Sequence, residues 1–199
     1  MIIPLIYSGL PASVLKNSRV LYKNKAHLEL EYRHFSEDKN KIQTYKLDFN
    51  NTIQSGTIEG SWAAVGHSVS MYYNKKSSIR RITSGVKKMD QAVQGPVLSN
   101  ATSSLKNALK VTGSHRQLMH KQLSPSHIKK EIQNKRPVCV RFQLEGSSSG
   151  HYVVIYGFTQ NRNNLTLHIA DPWDGYHDVD YEFMPLHFKA SWTNTYLTS

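Results

Sequence analysis

Three residues that lie far apart in the chain have the types that acyl transfer requires. Ser61 opens "SWAAVGHSVSMYY", His151 heads "HYVVIYGF" and Asp171 closes "LTLHIAD". Nucleophile, base and base-orienting carboxylate fall in that chain order. For such chemistry an imidazole must reach the nucleophile, and a carboxylate must set the imidazole's tautomer and rotation. Ser61 stands where a helix begins, because Trp62, Val65, Val69 and Tyr72/Tyr73 recur at three- and four-residue steps. Unpaired amides and the macrodipole favour negative charge at such a start. A thiol placed there beside an imidazolium falls from a pKa of about 8.5 to roughly 3.5–7.5. A serine alkoxide is too basic to rest as an ion pair, so the position suits Cys better than the Ser it holds.

Each residue also has a plainer reading. Ser61 alone is an N-cap, His151 a histidine at the edge of a core, and Asp171 a turn cap before Pro172. Only their company argues for catalysis. Trp62 and Trp173 read equally as core or as walls of a cleft. Cys139 sits mid-strand with no base assigned to it and reads as structural. His67 follows Ser61 by six residues, nearly two helical turns, which is too far for a base.

The elements that must position these residues follow from periodicity. "HLELEYRHF" alternates Leu28, Leu30 and Tyr32 with charged residues, and "IQTYKLDF" follows a polar turn, which predicts a β-hairpin. A loop, "NNTIQSGTIEG", leads to the helix at Ser61, in which Ala63, Ala64 and Gly66 permit close packing. Residues 79–121 read as helical, with breaks at Gly95-Pro96 and at Gly113. "LSPSHIKKEIQNK" carries a helix start, with Ser124 as N-cap, Pro125 at N1, and Leu123 and Ile128 as a hydrophobic staple. Period-two patterns then place Val138, Val140, Phe142 and Leu144 on one face of a strand. Tight connections to "HYVVIYGF" and "LTLHIADPW" make an antiparallel sheet, to which "DVDYEFM" and "WTNTYLT" add one or two strands. Gly150 and the Asp-Pro turn expose His151 and Asp171 at one sheet edge, although the two are twenty residues apart.

Composition narrows the class. With 199 residues and 39% hydrophobic content the chain can bury the core of one domain. No window approaches the roughly 18 apolar residues of a membrane span, and "MIIPLIYSGLPASV" has no basic n-region, so the expectation is a soluble protein without a signal peptide. One cysteine excludes an internal disulfide. The net charge of +11 is concentrated in residues 61–150, which carry 15 Lys/Arg against 3 Asp/Glu. Pairs such as Arg80-Arg81 and Lys87-Lys88 read as a solvated helical face or as a surface for an acidic partner. No RNP-like aromatic pattern, zinc spacing or helix-turn-helix accompanies them, which argues against nucleic acid.

Together "SWAAVGHSVSMYY", "RPVCVRFQLEGSSSGHYVVIYGF" and "LHIADPWDG" resemble the bacterial papain-like cysteine peptidases. Their signature is Trp-Cys-Trp-Ala-Ala, later Gly-His-aromatic-Val-Val, then Asp-Pro-Trp. The likeness spans roughly residues 50–199 and extends to double-glycine peptidases and papain-like effector proteases. It departs at Ser61, where the family has Cys, and at Gly60, where the family usually has Trp. Three explanations for Ser61 stay open: a Cys-to-Ser replacement that silences the enzyme, a natural pseudoenzyme, or a serine nucleophile.

The resemblance implies an α+β, papain-like fold. Residues 1–52 are then an N-terminal extension integral to it, and residues 53–199 the peptidase domain, with a helical lobe over about 61–135 and a β lobe over about 136–199. It implies catalysis by Ser61, His151 and Asp171, with Gln54 as oxyanion donor and Trp62, Gly150 and Trp173 lining the cleft. The implied substrate is a peptide or protein, with Gly-Gly as one such sequence, and no cofactor is needed. Asp171, Asp174, Asp178 and Asp180 with His168 and His177 follow no metal-ligand template, so no metal is expected. A basic peptidase of this size looks like a toxin or effector of bacterial competition, held by an acidic immunity protein and acting in a bacterial or target-cell cytoplasm. The rival expectation is a non-catalytic scaffold that binds a peptide or protein.

Overall fold

A seven-stranded sheet organises the computed structural model, which describes residues 42–52, 60–92, 102–144 and 150–199. These all belong to one compact unit, Ile42–Ser199. In chain order the elements are β1 (Gln43–Lys46), α1 (Gly60–Tyr72), α2 (Ile79–Ala92), α3 (Thr102–Val111), β2 (His115–Met119) and α4 (Pro125–Gln133). There follow β3 (Val138–Leu144), β4 (Gly150–Asn161), β5 (Asn164–Asp171), β6 (Gly175–Asp180), a 3₁₀ turn (Tyr181–Phe183), α5 (Met184–Phe188) and β7 (Ala190–Thr198). The strand order is β2-β7-β3-β4-β5-β6, and every pair is antiparallel. Gly157 of β4 pairs with Lys46 on one side and with His168 of β5 on the other. β1 therefore continues the lane that β3 occupies beside the first half of β4. The second strand of the expected hairpin is thus part of the sheet, and its first strand lies outside the described residues.

The alternation in the strands sorts side chains into two cores, as a period of two requires. On one face Val138, Val140, Phe142, Val153, Ile155 and Ile169 pack with Leu123, Ile128 and Ile132 of the α4 region and Met184 of α5. On the other, Cys139, Tyr152, Val154 and Tyr196 pack with Trp62, Val65 and Val69 of α1, Ile82 and Val86 of α2, and Leu105 and Leu109 of α3. Each fully buried aliphatic side chain contributes about 1.5–3 kcal/mol. Gly66 allows α1 to approach α3 closely, since a Cβ there would stand 3.0 Å from that of Ala108. The basic pairs of α2, Arg80-Arg81 and Lys87-Lys88, are exposed.

Two sequence expectations need correction. Residues 115–119 lie inside the stretch expected to be helical, yet they form β2. Gly113, at φ +67, ends α3 in the left-handed conformation, and the next residues find hydrogen-bond partners along β7. Ser124 does hold the N-cap position of α4 with Pro125 at N1, but its hydroxyl makes no capping bond. It meets Ser126 and His127 side chains instead, at 3.2 Å each. Leu123 and Ile128 are both buried, as a staple demands.

Candidate active site

Gly60 opens α1 at φ +71, a backbone that L side chains rarely adopt. That turn delivers Ser61 into the interior at 1% exposure. Its Oγ accepts a hydrogen bond from the backbone N–H of Tyr152 at 3.0 Å, which ties the helix start to β4 beside His151. Helix α1 packs on the face of Tyr152, whereas His151, paired with Phe142, belongs to the opposite face. The hydroxyl and the imidazole thus reach one strand end from opposite sides of the sheet.

His151 is 1% exposed. Its Nε2 meets Asp171 Oδ2 at 2.8 Å, and its Nδ1 is buried with no hydrogen-bond partner. An ionised carboxylate only accepts, so Nε2 carries a proton, and in the neutral imidazole Nδ1 then keeps a free lone pair. The other Asp171 oxygen, Oδ1, accepts from the Trp173 N–H at 2.7 Å. Both carboxylate oxygens are therefore directed. The Trp173 indole, 54% exposed, stacks on the imidazole at 3.7 Å between centroids and 29° between planes. Trp62, by contrast, is a core side chain.

Residues that the sequence reading passed over hold this arrangement. Asn51 Nδ2 donates to the Asp171 carbonyl at 2.6 Å, and Tyr176 Oη accepts from the Asn51 N–H at 2.9 Å while donating to the Phe49 carbonyl at 3.0 Å. These contacts latch residues 49–51 onto the Asp171–Tyr176 turn. Nothing in the local pattern of Phe49-Asn50-Asn51 signals such a role.

Arg141 did leave a signal, as the one charge in the otherwise uncharged strand "VCVRFQL". It is 5% exposed, with NH1 donating to Thr193 Oγ1 at 3.1 Å and NH2 to Gln143 Oε1 at 2.6 Å. Its guanidinium fills the space a side chain at position 150 would take: a Cβ on Gly150 would lie 2.3 Å from Nε. The glycine before His151 is thus required by packing against Arg141. Gly150→Ala is expected to cost about 1–3 kcal/mol through overpacking, a thermal midpoint lower by several degrees. In an Arg141→Ala background that extra loss should largely vanish. Additive losses in the two variants would show that Arg141 does not occupy this space.

The remaining candidates fall elsewhere. Gln54 lies outside the described residues. His67 Nδ1 bonds Thr52 Oγ1 at 2.8 Å, and burial lowers its pKa. Cys139 is fully buried, and burial pushes its thiol up, against reactivity. Donor atoms of Asp171, Asp174 and His177 lie within 4.8 Å of one another. Asp174 is, however, bonded to His177 at 2.7 Å, and the two Asp171 oxygens serve His151 and Trp173.

The Peptidase_C39 like family matches residues 63–199, a span that contains His151 and Asp171 and starts two residues after Ser61. No curated protein matches the chain. Among solved structures, a double glycine motif protease from an AMS/PCAT transporter, crystallised with the leader peptide, superposes with a TM-score of 0.52 at 16% identity. The match covers 78% of this chain and 95% of that one. Xylellain, a cysteine protease from Xylella fastidiosa, gives 0.52 at 12% identity over 82% and 88%. At such identities the likeness is one of fold, and it bears out the α+β papain-like architecture.

Proposed function

We propose, from the premise that the chain belongs to the Peptidase_C39 like family, that it is a cysteine-peptidase scaffold whose nucleophile position is residue 61, here in a Cys-to-Ser inactive form. The observation that carries this reading is the buried imidazole of His151, held at Nε2 by Asp171 and unpartnered at Nδ1, beside the strand amide that Ser61 Oγ accepts from.

With a thiol at 61, His151 Nδ1 takes its proton, and the thiolate attacks the peptide carbonyl. The tetrahedral intermediate collapses to a thioester as His151 protonates the leaving amine, and water then releases the acid. Asp171 keeps the imidazole proton on Nε2. The amide of residue 61 and the side chain of Gln54 supply the oxyanion donors. Gly150 and Trp173 line the cleft in this reading, while Trp62 packs in the core beneath it.

The substrate is a peptide or protein, with Gly-Gly before the cut as the first sequence to try, since a relative of the same fold is a double glycine motif protease. The basic character of residues 61–150 supports a bacterial toxin or effector that acts on a target in the cytoplasm and is held by an acidic immunity protein. A second reading, a non-catalytic binding module, is favoured by the bond that occupies Ser61 Oγ.

Incubating the Ser61→Cys variant with peptides containing Gly-Gly tests the first reading. Cleavage that the Ser61 protein lacks supports it, and an inert variant that still binds those peptides supports the second. Expression of the same variant in a bacterial cytoplasm should stop growth. Normal growth without any partner dismisses the toxin role.

A further inference from the structure

A groove of about 360 Å³ runs between β2 and α4 and shares no lining residue with the site above. Strand β2 ends the sheet: it pairs with β7, and among the described residues no strand covers its other side. A terminal strand offers a row of backbone donors and acceptors to any extended chain. Met119, Leu123 and Leu197 give the groove apolar lining, and Arg116, Lys130 and Arg136 give it three cations.

One carboxylate faces those three cations. Glu131 Oε2 accepts from Arg136 Nε at 2.7 Å and from Arg116 NH2, so a single oxygen holds both guanidinium groups. Burial alone would raise the Glu131 carboxyl, but the hydrogen bonds from Arg136 and Arg116 outweigh it and hold it below its ordinary value. Glu131 is therefore charged at neutral pH and offsets one cation, leaving a surplus in a concave, partly apolar setting where fields are focused. A second copy of this chain is a poor occupant, since β2 carries Arg116 and the chain's net charge is +11.

We infer that this groove takes an extended acidic polypeptide segment with an apolar anchor, added as a strand along the free edge of β2. The anchor rests on Met119, Leu123 and Leu197, and carboxylates on alternate positions meet Arg116, Lys130 and Arg136. Main-chain bonds then provide affinity, and the groove-facing side chains provide selection.

The test is a binding titration of the full Ser61 protein, which needs no activity and so stands apart from the peptidase reading. The probe is a fluorescein-labelled peptide with Glu, Leu and Glu at alternate positions and Thr between them, and the control replaces Glu by Lys. The acidic peptide is expected to bind, more weakly as salt rises, and amide exchange over residues 115–119 should slow. Charge reversal by Arg116→Glu with Lys130→Glu should weaken it by about tenfold or more. The milder Arg116→Gln, which leaves Arg136 on Glu131, should weaken it less while keeping the wild-type melting curve. Equal binding of both peptides, no response to either variant, or unchanged exchange at β2 would overturn the proposal.

Discussion

Iodoacetamide is expected to alkylate the Ser61→Cys variant rapidly at neutral pH, and His151→Ala in the same background should slow that reaction on the order of tenfold. An ordinary thiol with a pKa near 8.5 is only a few per cent ionised at pH 7, whereas one lowered into the range of roughly 3.5–7.5 is from about a quarter to almost wholly thiolate. Lower basicity reduces intrinsic nucleophilicity, which offsets part of that gain. In the proposed reading two features act on a thiol at residue 61: the amides at the start of α1, and the imidazole of His151, whose Nδ1 has no hydrogen-bond partner in the Ser61 protein. Removing the imidazole leaves only the helix start, so the rate falls and its pH profile moves upward. Cys139 provides the control, since burial pushes its thiol pKa up and no imidazole is assigned to it as a base, so it should stay unmodified in the folded Ser61 protein. Equal, slow alkylation of both variants would refute a catalytic pairing of residue 61 with His151.

Asp171→Asn should be nearly as damaging to the peptidase activity of the Ser61→Cys variant as loss of the imidazole, with kcat lower by about 10³- to 10⁴-fold. The reason is the second hydrogen bond of the carboxylate. Trp173 donates its backbone N–H to Oδ1, so an asparagine here turns its oxygen toward Trp173 and its NH2 toward His151. The imidazole can then only accept at Nε2, which puts its proton on Nδ1, where the base must be unprotonated. The effect should appear in kcat, with KM little changed, because nothing in the substitution alters the cleft. A variant that retains most of its activity would show that Asp171 does not set the tautomer.

Sequence and structure agree most closely where the signal is local. The helix at Ser61 is announced by apolar residues at helical steps, and α4 by Leu123, Pro125 and Ile128. β3, β4 and β5 follow from alternation bounded by turn residues. Disagreement arises where a partner distant in sequence decides. "HRQLM" has no clear alternation and becomes a strand because β7 offers it hydrogen-bond partners. Ser124 holds a cap position by backbone geometry, yet its hydroxyl finds neighbouring side chains instead.

The site follows the same division. The sequence determined which chemistry is available: residue types suited to a nucleophile, base and carboxylate, a helix start at 61, and strands that carry His151 and Asp171. These properties depend on side-chain chemistry and on periodicities of two and 3.6, which a short window contains. Tertiary structure alone decided that Tyr152 N–H meets Ser61, that Asn51 clamps the Asp171 carbonyl, and that Arg141 requires glycine at 150. Each of those is a contact between residues brought together by the pairing of strands or by helix against sheet, and such pairings depend on the packing of the whole core, which no local pattern encodes.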